Sequence, residues 1–300
     1  MVALGGGHGL AAALRGIRRY ASSVTAIVSV ADDGGSSGRL RRDLGVLPPG
    51  DLRRCLVALA NDELWARTFE HRFAAGELDG HALGNLVLVA LTETTGDFTA
   101  ALDAAGQLLG TVGRVLPATT EPVVLKAEVG LSGAEPGTAG DVEDVEEVEG
   151  QVAVQNSRNI RRVELVPADA SAPVAAVRAV EAADQIVLAP GSLYTSLLPV
   201  LCVDNLREAI TGAPGRVVQV ANLRPQPPET SGLDGTGHLR AVRAHGVRVD
   251  VFLSQLDGVL AVDEATVVAL GVAPIGEAMA QRDRLGHDSG RLAKCLAALL

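Results

Sequence analysis

Four short segments carry the residue types best suited to chemistry. Gly5-Gly6-Gly7-His8-Gly9 follows a short apolar run and opens a stretch with helical spacing. Backbone without Cβ can approach a phosphate closely there, and a helix N-terminus offers unpaired N–H groups. Asp32-Asp33-Gly34-Gly35-Ser36-Ser37-Gly38-Arg39 combines two carboxylates with a Gly/Ser-rich loop and a guanidinium. Its backbone and hydroxyl donors suit anionic oxygens, while Asp32 and Asp33 could bond ribose hydroxyls or hold a divalent metal such as Mg²⁺. His81 and Asn85 stand four residues apart, expected on one helix face, where an amide and an imidazole suit a phosphate or a base edge. Gly191-Ser192-Leu193-Tyr194-Thr195-Ser196 is a second glycine/hydroxyl loop at a strand-to-helix junction, with Ser192, Thr195 and Ser196 as donors.

Each segment also has a plainer reading: a tight turn, a flexible surface loop, a packing histidine, a Ser/Thr helix cap. Two anion cradles in one sheet are less readily coincidence than one. The subset Gly7-x-Gly9-x-x-Ala12, with Asp32 beyond the next strand, also fits the dinucleotide fingerprint. Nearby Arg41, Arg42, Arg53 and Arg54 are expected on solvated helix faces.

The elements that must position these groups alternate between strand and helix. Met1–Leu4, then Leu10–Tyr20, then Val24–Val30 read as strand, helix, strand. Pro48-Pro49-Gly50 breaks the chain before a helix for which Asp51 is the expected N-cap. Further helices are expected from Gly84 through Leu91, Phe98 to Leu109 and Ala172 to Ala183. Asp184–Ala189, Val217–Ala221 (ending at Asn222) and Val249–Leu253 are buried-type strands. Val123–Val129 and Gln151–Val154 read as two strands joined by a polar excursion from Gly130 to Gly150, expected to be a mobile acidic tip. Such alternation predicts a parallel, doubly wound α/β sheet in one domain over residues 1–300, with polar clusters at the carboxyl ends of strands.

Composition excludes several functions. The chain has a net charge of -10, which disfavours a nucleic-acid partner. Part of that charge is local: residues 141–149 (DVEDVEEVE) hold six acids. Cys55, Cys202 and Cys295 are widely spaced and outside any CxxC, so free thiols in a reducing compartment are expected. No signal peptide opens the sequence and no apolar run reaches the roughly 18–20 residues of a membrane span, so a cytoplasmic location is expected. There is no GxxxxGK[ST], HExxH or serine nucleophile elbow, and nothing stands out as a covalent nucleophile.

Taken together, GGGHGL, VADDGGSSGRLRRDLGVLPPGDLRRCLVALA, GHALGNLVLVALTE, GRVLPAT, APGSLYTSLLP and Asn222-Leu223-Arg224-Pro225-Gln226 with Glu229-Thr230 closely resemble the bacterial YvcK-type gluconeogenesis-factor family. That family is related to CofD, the 2-phospho-L-lactate transferase of coenzyme F420 synthesis. The resemblance implies a Rossmann-like, mostly parallel sheet with helices on both faces and a bound UDP-sugar such as UDP-N-acetylglucosamine. It also implies a regulatory role in carbon flux, cell shape and envelope synthesis, with a protein partner there and a homo-oligomeric state. By the same resemblance, Gly6 to Gly9 and Gly191 to Ser196 face a diphosphate; Asp32, Asp33, Ser36 and Ser37 line the cleft; Asp51, His81 and Asn85 complete it; and Asn222 lies at a neighbouring strand end. Relatives often carry Arg-His-Asp near the C-terminus, whereas this chain has Gly286-His287-Asp288, with Arg284 as the expected substitute.

Three functions compete. The first is a sugar-nucleotide sensor without turnover. A CofD-like, metal-assisted transferase using Asp32, Asp33 or Asp51 is the second, and a nicotinamide-dependent oxidoreductase the third.

Overall fold

The structure, a computed structural model, describes residues 1–130 and 145–300. The expected tip at residues 131–144 lies outside the described residues. The first unit is β1 (Val2–Gly5), α1 (Gly7–Ile17) and β2 (Thr25–Val28). In α1 the side chains of Leu10, Ala13, Leu14 and Ile17 recur at helical spacing and are all buried, which is why this stretch folds as a helix against the sheet. Four helices follow: α2 (Gly35–Leu44), α3 (Gly50–Leu59), α4 (Glu63–Glu70) and α5 (Leu83–Thr95). Next come α6 (Phe98–Leu109) and β3 (Arg114–Pro117).

The segment expected to be two strands and a loop folds differently. β4 (Val124–Gly130) pairs antiparallel with β5 (Val145–Glu149), which is the second half of the acidic run. Val145 and Val148 stand three residues apart, so the run lacks the two-residue period of a strand, and its pairing with β4 makes it one. Lys126 of β4 supplies the counter-charge, with Nζ 2.7 Å from Glu147 and 3.8 Å from Glu164. Gln151 and its neighbours form a helix, α7 (Gln151–Gln155), instead of the expected strand. Gly150, at φ 97°, turns the chain, and the Asp33 carboxylate accepts from the N–H groups of Gln151 (2.8 Å) and Val152 (3.0 Å). β6 (Ile160–Val166) completes a three-stranded sheet in the order β5-β4-β6.

The chain then returns through α8 (Val174–Glu181) and β7 (Gln185–Leu188). A π-helical turn over Leu193–Leu197 runs into α9 (Leu198–Leu201) and α10 (Asp204–Gly212). The remainder is β8 (Arg216–Val220), α11 (Gly235–Ala244), β9 (Val251–Gln255), α12 (Glu264–Ala269), β10 (Ala273–Glu277) and α13 (Ser289–Ala297).

The main sheet has seven strands in the order β10-β9-β8-β7-β1-β2-β3, and every pairing in it is parallel. Strand order runs one way from β1 to β3 and the other way from β7 to β10, so the direction reverses between β1 and β7. Because crossovers between parallel strands are right-handed, that reversal puts the helices of the two halves on opposite faces. A crevice opens at the carboxyl ends of the strands where the order switches. Leu4, Ile27, Val187 and Leu188 on the central strands are 0% exposed, each removal from water contributing about 2 kcal/mol. The core fixes the strand ends, and the strand ends fix the site.

Candidate functional site

Two cavities lie side by side over the switch between β1 and β7. One, of about 340 Å³, takes Gly7, Asp32, Gly34, Gly35, Ser36, Ser37, Asp51, Asn85, Thr195 and Ser196 into its wall. Its neighbour, of about 350 Å³, is lined by His8, Gly9, Gly191 and Asn222, together with Arg15, Arg224, Gln226, Gln281 and His287. The turn after β1 and the turn after β7 contribute to both cavities, so the three loops singled out in the sequence do meet at one end of the sheet.

They differ in what their donors already hold. Gly7 N–H donates to Asp51 Oδ2 at 2.7 Å. Asp51 is therefore not the expected N-cap of α3: Pro49 holds that place, and the carboxylate reaches across 44 residues to α1. Its other oxygen accepts from the Arg54 guanidinium at 2.5 Å. Gly6 packs beneath this contact, where an added Cβ would fall 2.5 Å from Asp51 Oδ2. At Gly9 an added Cβ would sit 1.9 Å from the Pro190 carbonyl oxygen, so glycine there lets the two turns touch. The N–H groups of His8 and Gly9 have no protein acceptor among the described residues.

The turn after β7 is filled more completely. Glu229, only 3% exposed, accepts from the N–H of Tyr194 (2.6 Å) and Thr195 (3.0 Å) and from Thr195 Oγ1 (3.3 Å). Ser192 adds a hydroxyl bond to the same carboxylate, whose pKa is nevertheless raised because burial outweighs the donors. Asn222 clasps the loop from the other side: Oδ1 accepts from Gly191 N–H and Nδ2 donates to the Gly191 carbonyl, each at 2.8 Å. This cradle holds the protein's own anion.

The third turn is open. Gly34 caps α2, its own N–H donating to Asp32 Oδ1 at 3.0 Å. The N–H groups of Gly35, Ser36 and Ser37 meet no protein acceptor among the described residues. What the sequence presents as a Gly/Ser-rich loop is the first turn of a ten-residue helix, with its positive end facing the cavity. Ser37 Oγ accepts from Gly50 N–H at 3.0 Å, tying α2 to α3. Ser36 Oγ accepts from the Asn85 amide at 3.0 Å and lies 3.1 Å from His81 Nδ1. His81 and Asn85 thus converge on one hydroxyl, although they do not share a helix face: α5 starts after His81, at Leu83.

Two expected site residues point elsewhere. Asp33 is engaged at the N-terminus of α7, and Arg39 donates to the Asp79 carbonyl at 2.7 Å. Arg284 donates to the Asp257 carbonyl at 3.2 Å instead of entering the second cavity.

Burial sets the electrostatics. Desolvation raises the Asp32 pKa against its bonds from Gly34 and Ser37, with the nearby Asp51 charge adding to the rise. Arg53, expected on a solvated face, is 4% exposed, and burial beside Arg54 lowers its pKa to about 10. In the second cavity burial pushes His287 down to about 4, which keeps that imidazole neutral at pH 7.

Comparison with known proteins fits this frame. Residues 1–291 match the family described as 2-phospho-L-lactate transferase CofD. The chain belongs to the CofD family. Within it, a protein of Halalkalibacterium halodurans named gluconeogenesis factor is 38% identical over 317 residues, covering 99% of this chain and 95% of the relative. A gluconeogenesis factor of Bacillus subtilis is 42% identical over 243 residues, covering 80% of this chain and 73% of the relative. The crystal structure of a UPF0052-family protein from Bacillus halodurans superposes with a TM-score of 0.90 at 36% identity, over 99% of this chain and 97% of that one.

The related transferase raises the question of Mg²⁺, and the CofD-family carboxylates here do not fit a protein-held ion. Asp33 serves α7, both oxygens of Asp51 are engaged, and no group of three His, Cys, Asp or Glu converges among the described residues. Asp32 alone is too small a set.

Sequence reasoning missed Glu229 as an anchor, and it missed Arg53, Arg54, Arg72 and the α7 residues Gln151, Val152 and Gln155 as cavity walls. The signal for Arg53 was available as the apolar run that follows it, Cys55 to Ala60, which makes one face of α3 core. Glu229 stood out only in the Glu229-Thr230 pair of the family resemblance, and nothing around it in the chain pointed to an anchoring role. Among the described residues no helix is long and apolar enough to cross a membrane.

Proposed function

We propose that this CofD-family chain binds a nucleotide sugar of the UDP-N-acetylglucosamine type and acts as a regulator that does not turn it over. The observation that carries this reading is the pair of adjoining cavities with different linings. The second, with the Asn222, Gln226 and Gln281 amides, a neutral His287 and the apolar Leu223 and Leu285, suits a nucleoside. The first, with carboxylates, hydroxyls and helix N–H groups, suits a sugar. The free N–H groups of His8 and Gly9 line the second cavity, next in the chain to Gly7 of the first, where a diphosphate linking the two parts would rest.

The names of the gluconeogenesis-factor relatives support a role in carbon flux, extended here to envelope synthesis and cell shape through a cytoplasmic protein partner. Calorimetric titration with UDP-N-acetylglucosamine tests the reading: saturable binding is expected, with the ligand recovered intact. No saturation by any UDP-sugar at millimolar concentration overturns it.

A second reading, a transferase, is favoured by the description of the matching family. It requires magnesium-dependent product from a nucleotide-activated phospholactate. The carboxylate arrangement places it second.

A further inference from the structure

The first cavity holds more positive charge than a neutral sugar can answer. Arg53 and Arg72 line it, and neither has a carboxylate within 4 Å among the described residues. Arg53 Nη1 donates to the Phe69 carbonyl at 3.3 Å, while its buried Nε has no partner. Arg72 donates to the Gly80 carbonyl at the rim. Arg54 is the paired one, held by Asp51. Three guanidinium groups therefore face two carboxylates in the cavity wall, Asp32 and Asp51, and Glu70 is the further acid that acts on Arg53 without pairing with it.

The open first turn of α2 adds the N–H groups of Gly35, Ser36 and Ser37 to the same wall. Asn85, 2% exposed, keeps an unpartnered Oδ1 there, an acceptor for a ligand hydroxyl. A buried guanidinium without a counter-ion is costly, and planar guanidinium with aligned N–H groups is the donor set that carboxylate and phosphate satisfy.

We propose that the first cavity is an oxyanion hole, occupied by an anionic group other than the diphosphate at His8 and Gly9. The group is either a carboxylate carried on the ligand's sugar or a small oxyanion seated beside a neutral sugar. The hole stands on Arg53, Arg72 and the N–H groups of α2; which molecule brings the oxyanion rests on the nucleotide-sugar reading above.

Calorimetry with UDP-glucose, UDP-glucuronate, and UDP-glucose in saturating inorganic phosphate separates the sources. These titrations are repeated with Arg72→Gln, an exposed position whose replacement spares the core. A carboxylate source predicts UDP-glucuronate binding about 10-fold tighter than UDP-glucose, a gap that closes in the variant. A separate oxyanion predicts a similar gain for UDP-glucose on adding phosphate, lost in the variant. Equal binding in all three titrations overturns the proposal. If no UDP-sugar binds, the nucleotide-sugar reading fails by itself. A phosphate-dependent rise in Tm that is absent from Arg72→Gln then upholds the hole, and no rise overturns it.

Discussion

The turn after β7 and the first turn of α2 are built from the same materials, glycine and serine ahead of a helix, and they do opposite things. In the first, Glu229 occupies the N–H groups of Tyr194 and Thr195; in the second, the N–H groups of Gly35, Ser36 and Ser37 face an open cavity. The turn after β1 lies between them, with Gly7 taken by Asp51 and His8 and Gly9 free. A glycine-rich turn at a strand end is therefore a donor set. Whether it binds a ligand or braces the fold is decided by one carboxylate arriving from far along the chain.

Removing the brace should have the largest effect. Glu229→Ala strands buried N–H groups that nothing else can reach, and each costs about 1–3 kcal/mol. Urea denaturation should show a loss of about 3–5 kcal/mol by the same principle, whereas a loss below about 1 kcal/mol would mean that the turn is not held from within.

Acid titration sharpens the contrast, because the brace is itself a buried carboxylate. His238 and His287 are buried with pKa values pushed down to about 4. For a histidine depressed in the folded state, the unfolded chain binds more protons between that value and its ordinary one. Stability is thus present above about pH 6.5 and falls toward pH 4, by about 3 kcal/mol per group. Glu229 and Asp32 are carboxylates with raised values, so the folded state takes up their protons first and their contribution rises as pH falls. Glu229→Gln removes one of these offsets. Its stability should decline more steeply from pH 6.5 to 4 than that of the unaltered protein, and parallel profiles would contradict the assignment.

Filling the open turn is the converse change. Gly34→Asp places a carboxylate at the N-cap of α2, within reach of the free N–H groups, with its Cβ 3.3 Å from Val152 Cγ2. It should weaken sugar-nucleotide binding about 10-fold while changing stability by no more than about 0.5 kcal/mol; unchanged affinity would show that the ligand does not use α2. Asn222→Ala, which releases the Gly191 loop, is the mildest, with about 1 kcal/mol lost in the same denaturation assay and a loosened second cavity.

Much of the main sheet was legible because buried parallel strands are short β-branched runs that stop at glycine or a polar cluster, as Thr25–Val28 and Gln185–Leu188 do. The polar clusters were legible at strand ends, but the strand order that opens the crevice between β1 and β7 was not. What escaped was long-range. No local pattern says that Asp51 leaves its own helix for Gly7, or that Glu229 crosses more than thirty residues to the π-helical turn. Asp33 looks like the twin of Asp32, and only the backbone of α7, brought in by the three-stranded sheet, separates their roles. β5 was lost for a different reason: its charge suggested solvent, and the pairing of Lys126 with Glu147 that makes an acidic strand tolerable lies in another strand. Arg53 was judged by its charge and not by the apolar residues around it.

Backbone amide NMR during titration with UDP-N-acetylglucosamine addresses the central claim most directly. The N–H signals of His8, Gly9, Gly35, Ser36 and Ser37 should move to saturation together, while those of Tyr194 and Thr195, held by Glu229, stay in place. Movement at Tyr194 and Thr195 with silence at Gly35 to Ser37 would reverse the assignment of braced and open turns and contradict the account.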